Sequence, residues 1–339
     1  MEDDLPYFNK GDFFMRKLWI FLLISVMILL TVSSLATYKI AFIPKLVGIP
    51  YFNAMEAGGK RAAKDLGVEF IYTGPTTDSV AKQIEIIDNL ITKGVDAIAV
   101  APNDPAAITP IMKKAKGKGI LTMTSDTDGA QNVREVFVNQ ARPRDIGYAV
   151  MDVVAELMDY KGKFAIVSGG PTAWNLNTWI MYLQQRLAEY PDIELVTIRY
   201  AGEDVQKAVD VGLSVIQAFP DIKVIVGMNS TSAPGVAEAV ELAGKVGQIW
   251  ATGITVPSMM KEHMKKGSVK KFVLWDPENL GYLTVWAAKY LLDGNEFPAN
   301  KPIDVPGIST KPIYYPGTKE LVLGPPLVFT PENIDKYNF

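Results

Sequence analysis

The chain has 339 residues, no cysteine, a single histidine (His263) and a formal net charge of −3 with both signs mixed along its length. This composition excludes disulfides, thiolate metal sites and cysteine nucleophiles, and one histidine excludes a multi-histidine metal centre. The near-neutral charge leaves no nucleic-acid footprint, while the length is enough for two domains with full cores.

Residues 1–14 are polar and acidic, and Met15 reads as a more natural start. Arg16-Lys17 then precedes an apolar run from Leu18 to Val32, followed by Ser33-Ser34-Leu35-Ala36. Basic flank, apolar core and small-x-small exit are the parts of a secretory signal peptide. The uncharged stretch to Tyr38 is also about long enough to span a bilayer, so an uncleaved anchor is the other reading. Either one implies export.

The mature chain opens on Ile40-Ala41-Phe42-Ile43, an unbroken apolar run expected of a strand covered on both faces of a parallel sheet. Pro44 cannot donate to a ladder and should end it. Lys45, with Tyr51 and Phe52 beside it, then sits in a loop at a strand end, where open α/β sheets place their ligands. A helix is predicted over 53–66, closed by Gly67. The alternation repeats: strand 69–72, helix 79–93, strand 97–100, helix 108–118, strand 120–123, strand 136–138. After a helix over 145–160 it restarts: strand 163–167, helix 177–189, strand 195–198, helix 205–218, strand 224–226, helix 233–243, strand 249–252. A late strand, 271–275, ends in Asp276-Pro277, and a helix covers 280–292. The Pro- and Gly-rich tail from Phe297, with strand-like pieces at 321–323 and 327–329, reads as a strap returning to the second half. Strands alternating with helices predict an α/β fold with parallel sheets, and the length favours two lobes over one wide sheet. No Gly-rich phosphate loop follows any strand, so the dinucleotide and P-loop readings fail and no cofactor is expected.

Candidate ligand groups lie at these strand ends. Lys45 could donate to ring or carbonyl oxygens. Asp126 and Asp128 close the fourth strand, where turn-forming aspartates are common; a carboxylate also bonds a hydroxyl more strongly than a neutral acceptor does. Asp128 could instead cap or pair with Lys45. Asn175 and Asn177 could be a helix N-cap and its neighbour, or amides suited to sugar hydroxyls. Asn229-Ser230 and Trp275-Asp276 are further strand-end groups, and Tyr51 and Phe52 could staple a helix or stack on a sugar face. Trp179 reads as core and His263 as a surface residue of a charged helix.

Several segments carry a family resemblance: Ala41-Phe42-Ile43-Pro44-Lys45, Gly74-Pro75-Thr76, Gly94-Val95-Asp96-Ala97-Ile98-Ala99-Val100, Val138-Asn139-Gln140, Leu274-Trp275-Asp276 and Asn333-Ile334-Asp335-Lys336-Tyr337. Through them the chain resembles the type I periplasmic sugar-binding proteins of ABC importers, in the branch holding the autoinducer-2-binding and rhamnose-binding receptors. The resemblance implies two Rossmann-like lobes joined by a hinge, 37–139 plus 276–305 and 140–275 plus 306–339. It also implies a small sugar held in the cleft, lobe closure, and delivery to permease transmembrane subunits by a monomeric, non-enzymatic, periplasmic protein. The autoinducer-2 receptors resemble the chain at Lys45, Asp126 and Asp128, but carry Asp-Gln where it has Asn175-Leu176 and Pro-Asp-Ala where it has Met228-Asn229-Ser230. The Asn175-x-Asn177-x-Trp179 pattern resembles the rhamnose-type members, which favours a neutral sugar or deoxysugar over the signalling molecule. A periplasmic sensor subunit would share the site. A sugar hydrolase using Asp126 and Asp276 would need a set carboxylate separation, and a transcription regulator would need a helix-turn-helix where the signal-like run stands.

Overall fold

The computed structural model describes residues 37–339; the signal-peptide or anchor segment lies outside the described residues. Two sheets organise the rest, parallel throughout except for one edge strand of the first, Ile313–Tyr315. The first contains β1 (Lys39–Ile43), β2 (Glu69–Tyr72), β3 (Ala97–Val100), β4 (Leu121–Ser125) and β5 (Val136–Asn139), extended by β11 (Ile313–Tyr315) and β12 (Glu320–Val322), in the order β11-β12-β5-β4-β3-β1-β2. The second contains β6 (Gly162–Ser168), β7 (Ile193–Tyr200), β8 (Ile222–Gly227) and β9 (Trp250–Gly253), in the order β7-β6-β8-β9. A short antiparallel pair, β10 (Phe272–Leu274) with β13 (Leu327–Phe329), adjoins it through the parallel bridge Ile254↔Val273. The predicted α/β class with two parallel sheets is what the chain adopts.

The apolar runs explain why β1 and β3 are central. Ile40, Phe42, Ala97 and Ala99 enter one core; Ala41, Ile43, Ile98 and Val100 enter another, with Ile87, Leu90, Ile108 and Met112 from the helices Val80–Lys93 and Pro105–Gly117. Successive strand residues point to opposite faces, so both faces are covered and every position is apolar. Glycines punctuate the helices as expected: Gly67 (φ 66°) and Gly94 (φ 67°) take the left-handed C-cap conformation.

Helix starts fall earlier than the apolar pattern alone predicts. Pro50, Pro105 and Pro277 each open a helix at its first turn, because a missing N–H costs nothing there and the fixed φ suits a helix. One consequence is that Tyr51 and Phe52 belong to the first turn of the helix Pro50–Leu66, not to the loop before it.

The tail departs from expectation. β13 and the chain end after it join the second sheet's neighbourhood, where Ser258 N donates to Phe339 O, while β12 pairs in parallel with β5 (Leu321↔Val138) and carries β11 with it. The free edge of β5 offers unpaired backbone groups, and β12 satisfies them. The segment 313–322 therefore belongs with the first sheet, and 306–339 does not go to one lobe as a block. His263, expected at the surface, is half-buried, its Nδ1 2.6 Å from Glu241 Oε1.

After β10 the chain crosses back to the first sheet, and the helix Pro277–Leu292 lies directly against Pro50–Leu66. Two glycines allow the contact. A Cβ built on Gly58 would stand 1.8 Å from Glu278 O, and one on Gly281 would stand 2.0 Å from Met55 O. Both are backbone atoms, which cannot swing aside. Gly58→Ala and Gly281→Ala are each expected to destabilise the protein by about 1–3 kcal/mol or more, lowering the melting temperature by several degrees. Gly117→Ala, in a helix where nothing lies within 4 Å, serves as the control and should not lower it, since alanine favours a helix over glycine by about 0.5–1 kcal/mol.

Candidate functional site

The carboxyl ends of strands from both sheets meet at one cavity, about 370 Å³ of empty space with the adjoining open solvent included. From the first sheet come Lys45 after β1 and Asp126 after β4, with Tyr51 and Phe52 from the helix that follows Lys45. The second sheet contributes Glu203 after β7, Asn229 and Ser230 after β8, and Asn175 and Trp179 from the helix Trp174–Leu187 after β6. Trp275 closes it from the crossing segment, and Ile49, Leu176, Ile254 and Leu274 supply the apolar remainder.

Lys45 is only 5% exposed. Its Nζ donates to Asn175 Oδ1 at 2.9 Å, a bond that runs from the first sheet's loops to the second's. A buried ammonium is costly without partners, so its loop must be held firmly. Gln83, fully buried, does this: its Nε2 donates to Pro44 O (3.0 Å) and Ala101 O (2.8 Å), and its Oε1 accepts from Asn103 N (2.9 Å). Asn103 Nδ2 in turn donates to Lys45 O at 3.1 Å. Neither Gln83 nor Asn103 stands out in the sequence, since both look like polar residues of a helix face and a turn.

Asp126 sits in the left-handed region at φ 66°, a conformation that aspartate tolerates but few side chains do. The strain turns its carboxylate into the cavity. Tyr51 Oη donates to Asp126 Oδ1 at 2.7 Å, and Thr127 Oγ1 donates to Oδ2 at 3.1 Å. Tyr51 accepts in turn from Trp275 Nε1 at 3.0 Å. Trp275 meets Tyr51 edge-on (ring centroids 6.0 Å apart, 89°) and Trp179 at 5.4 Å and 65°. Burial raises the carboxyl pKa of Asp126, opposed by the charge of Lys45 and by the Tyr51 and Thr127 hydroxyls. Burial also holds the Tyr51 phenol well above its ordinary value, with the negative charge of Asp126 adding to the effect.

Eight of the ten residues expected at the site line the cavity: Lys45, Tyr51, Phe52, Asp126, Asn175, Asn229, Ser230 and Trp275. Two do not. Asp128 turns away and binds Arg134 through two bonds, Nε to Oδ1 at 2.6 Å and Nη2 to Oδ2 at 2.7 Å. The same guanidinium donates to Thr318 O and Lys319 O, so this buried pair fastens the returning tail and is not paired with Lys45. Asp276 caps the helix Pro277–Leu292, its Oδ1 accepting from Asn279 N at 2.9 Å. Among the capping expectations, Asn175 lies inside the first turn of its helix, whose N-cap is Ala173. Asn177 donates to Pro171 O, outside the cavity.

Trp179, read as core, is both buried and cavity-lining. Glu203 was missed altogether. Gly202-Glu203-Asp204 follows β7 and reads as a solvated turn, with Asp204 capping the next helix; its strand-end position was the available signal. Burial pushes the Glu203 carboxyl up to about 7, the charge of Lys45 opposing and that of Asp78 assisting. No group of three His, Cys, Asp or Glu side chains able to hold a metal occurs among the described residues.

The cavity thus joins one ammonium and two carboxylates to an apolar wall of rings and aliphatic chains. That mixture grips a small polar ligand with an apolar face. The raised carboxyl has a consequence for stability. A folded-state pKa of about 7, against 4.5 ordinarily, gives stability that is full below pH 4.5 and lost as pH rises to 7. At one unit per 1.36 kcal/mol the ligand-free protein loses about 3 kcal/mol across that window. Glu203→Gln is expected to remove this loss, so the variant's advantage in melting temperature should grow from pH 4.5 to pH 8. A difference that stays constant over that range would show that Glu203 does not titrate there.

Known proteins resemble the whole described chain. The model of a periplasmic binding protein domain matches residues 40–296. An ABC transporter solute-binding protein from Clostridium phytofermentas, solved with bound L-rhamnose, superposes with a TM-score of 0.83 at 30% identity, covering 89% of this chain and 98% of its own. LsrB from Clostridium saccharobutylicum, solved with AI-2, superposes equally well, TM-score 0.83, at 24% identity, covering 89% of this chain and 100% of its own. Among curated sequences, a D-ribose/D-allose-binding protein of Pseudomonas aeruginosa is 26% identical over 249 residues, 68% of this chain and 75% of that protein.

Proposed function

The chain belongs to the periplasmic binding proteins that serve ABC transporters as solute-binding proteins, and on that premise we propose that it is the extracytoplasmic receptor of a sugar importer. It binds one small monosaccharide or deoxysugar between its two sheets and hands it to the permease transmembrane subunits as a monomer, without chemistry. The observation that carries this reading is the bond from Lys45 to Asn175 across a cavity that strand ends of both sheets line. A ligand entering there replaces that bond with bonds to itself, and closure of the two lobes about a hinge follows from the ligand touching both.

The lining supports a single sugar ring. Lys45 donates, Asp126 accepts, and Asn175 does either. Phe52, Trp179 and Trp275 line the cavity with rings that suit C–H surfaces, and Leu176, Ile254 and Leu274 suit a methyl group better than another hydroxyl. The apolar share favours a deoxysugar of the rhamnose type. The departures at Asn175-Leu176 and Met228-Asn229-Ser230 weigh against autoinducer-2.

Thermal shifts with L-rhamnose, D-ribose, D-allose and autoinducer-2 test the reading. A ligand that binds only the native state at 100 times its Kd adds about 2.7 kcal/mol, and L-rhamnose is expected to give the largest rise. Asp126→Asn should remove that rise while leaving the ligand-free protein folded. Stabilisation by autoinducer-2 alone would reverse the choice of ligand, and an unchanged rise in Asp126→Asn would sink the assignment of the site.

A further inference from the structure

Asn229 lines the cavity, but its hydrogen-bonding atoms are committed elsewhere. Its Oδ1 accepts from Ser232 N at 2.9 Å. Its Nδ2 faces three acceptors: Glu203 Oε2 at 2.9 Å, Thr231 Oγ1 at 3.1 Å and Gly202 O at 3.3 Å. An amide nitrogen has two hydrogens to give, so none is left for a ligand. Glu203 is in the opposite state. One oxygen is held by Asn229, and the other has no hydrogen-bond partner among the described residues. Gly169, just past β6, keeps that oxygen accessible. A Cβ there would lie 3.2 Å from Glu203 Oε1, 3.0 Å from Asn229 Nδ2 and 2.8 Å from Leu176 Cδ1. Any side chain at 169 would press on this corner of the cavity.

We propose that Glu203 is the ligand-contacting acceptor of the second sheet, that it binds a sugar hydroxyl through its free carboxylate oxygen, and that Asn229 is the positioning residue that aims it. This rests on the sugar-receptor reading and narrows it: the ligand presents a hydroxyl donor to each sheet, one to Asp126 and one to Glu203. It also makes binding depend on pH. The groups facing Glu203 are Lys45 after β1, Asp126 after β4, Asp78 ahead of the helix Val80–Lys93 and the neutral Asn229. With the ligand-free carboxyl near 7, a hydroxyl that bonds its ionised form binds fully above that pH and weakens as pH falls through it. A neutral sugar has no titration of its own between pH 6 and 8.

Isothermal titration of the protein with L-rhamnose, D-ribose, D-allose, D-arabinose and xylitol at pH 8 and pH 6 tests this. The sugar bound at pH 8 is expected to bind about tenfold more weakly at pH 6, as one proton taken up by a carboxyl near 7 requires. Glu203→Gln should weaken binding at pH 8 by about tenfold or more and flatten the dependence on pH. Asn229→Ala should weaken binding and move the midpoint to higher pH, because the bond that favours the ionised form is gone; a merely structural asparagine would not move that midpoint. Glu203→Asp, which keeps the charge on a shorter arm, should retain the pH dependence at reduced affinity. If Glu203→Gln keeps the affinity and slope of the unaltered protein, the titrating group is Asp126 and the inference is wrong while the receptor reading stands. If no sugar of the panel binds at either pH, both fall together.

Discussion

One buried ammonium shapes the centre of this protein. Lys45 is carried below the surface at the end of β1, where an unpaired charge is expensive. The surrounding structure answers that cost in three ways. Asn175 accepts a hydrogen bond from the ammonium directly, the carboxylates of Asp126 and Glu203 lie across the cavity, and Gln83 with Asn103 hold the backbone of the loop in place. Because Asn175 and Glu203 come from the second sheet, the charge of one half is satisfied by the other. The site is therefore lined by groups from both halves at once.

The aromatic groups turn that electrostatic arrangement into a shaped container. Trp179, Trp275 and Tyr51 form a continuous edge-to-face series, and the hydrogen bonds from Trp275 to Tyr51 and from Tyr51 to Asp126 run along it. The polar tips of Tyr51 and Trp275 are therefore used, as buried tyrosine and tryptophan require. The carboxylate of Asp126 is aimed by this series and by its own left-handed backbone, a local strain of the kind that collects at binding sites. Trp275 belongs to the segment that crosses between the sheets, so the ring that closes the cavity also lies where the two halves are joined.

The two aspartates that fell outside the cavity show what sequence position can and cannot decide. Asp126 and Asp128 are two residues apart after the same strand. A positive φ at Asp126 sends its side chain into the cleft, while Asp128 is drawn to Arg134 and through it to the tail at Thr318 and Lys319. Asp276 likewise sits at a strand end beside a cavity residue, but the helix beginning at Pro277 claims it as a cap. Glu203 went unnoticed for the converse reason. Its surroundings are buried only because Gly169, Asn229 and Lys45 converge on it from segments far away in the chain.

What the amino-acid order determined by itself was the α/β class and most of the strand ends. Local pattern suffices for these: apolar runs mark covered strands, helical spacing marks the faces between them, and proline and glycine mark where each stops. With the strand ends came most of the site, because parallel strands open their loops on one side. The tertiary structure alone decided which polar side chains face the cavity and which are spent on caps and tethers. It also decided where the tail goes: β12 follows the unpaired edge of β5 into the first sheet, while β13 takes β10. Such choices depend on which distant group lies within hydrogen-bond reach, and on unpaired edges that exist only once the sheets have formed; neither is a property of any short stretch of chain.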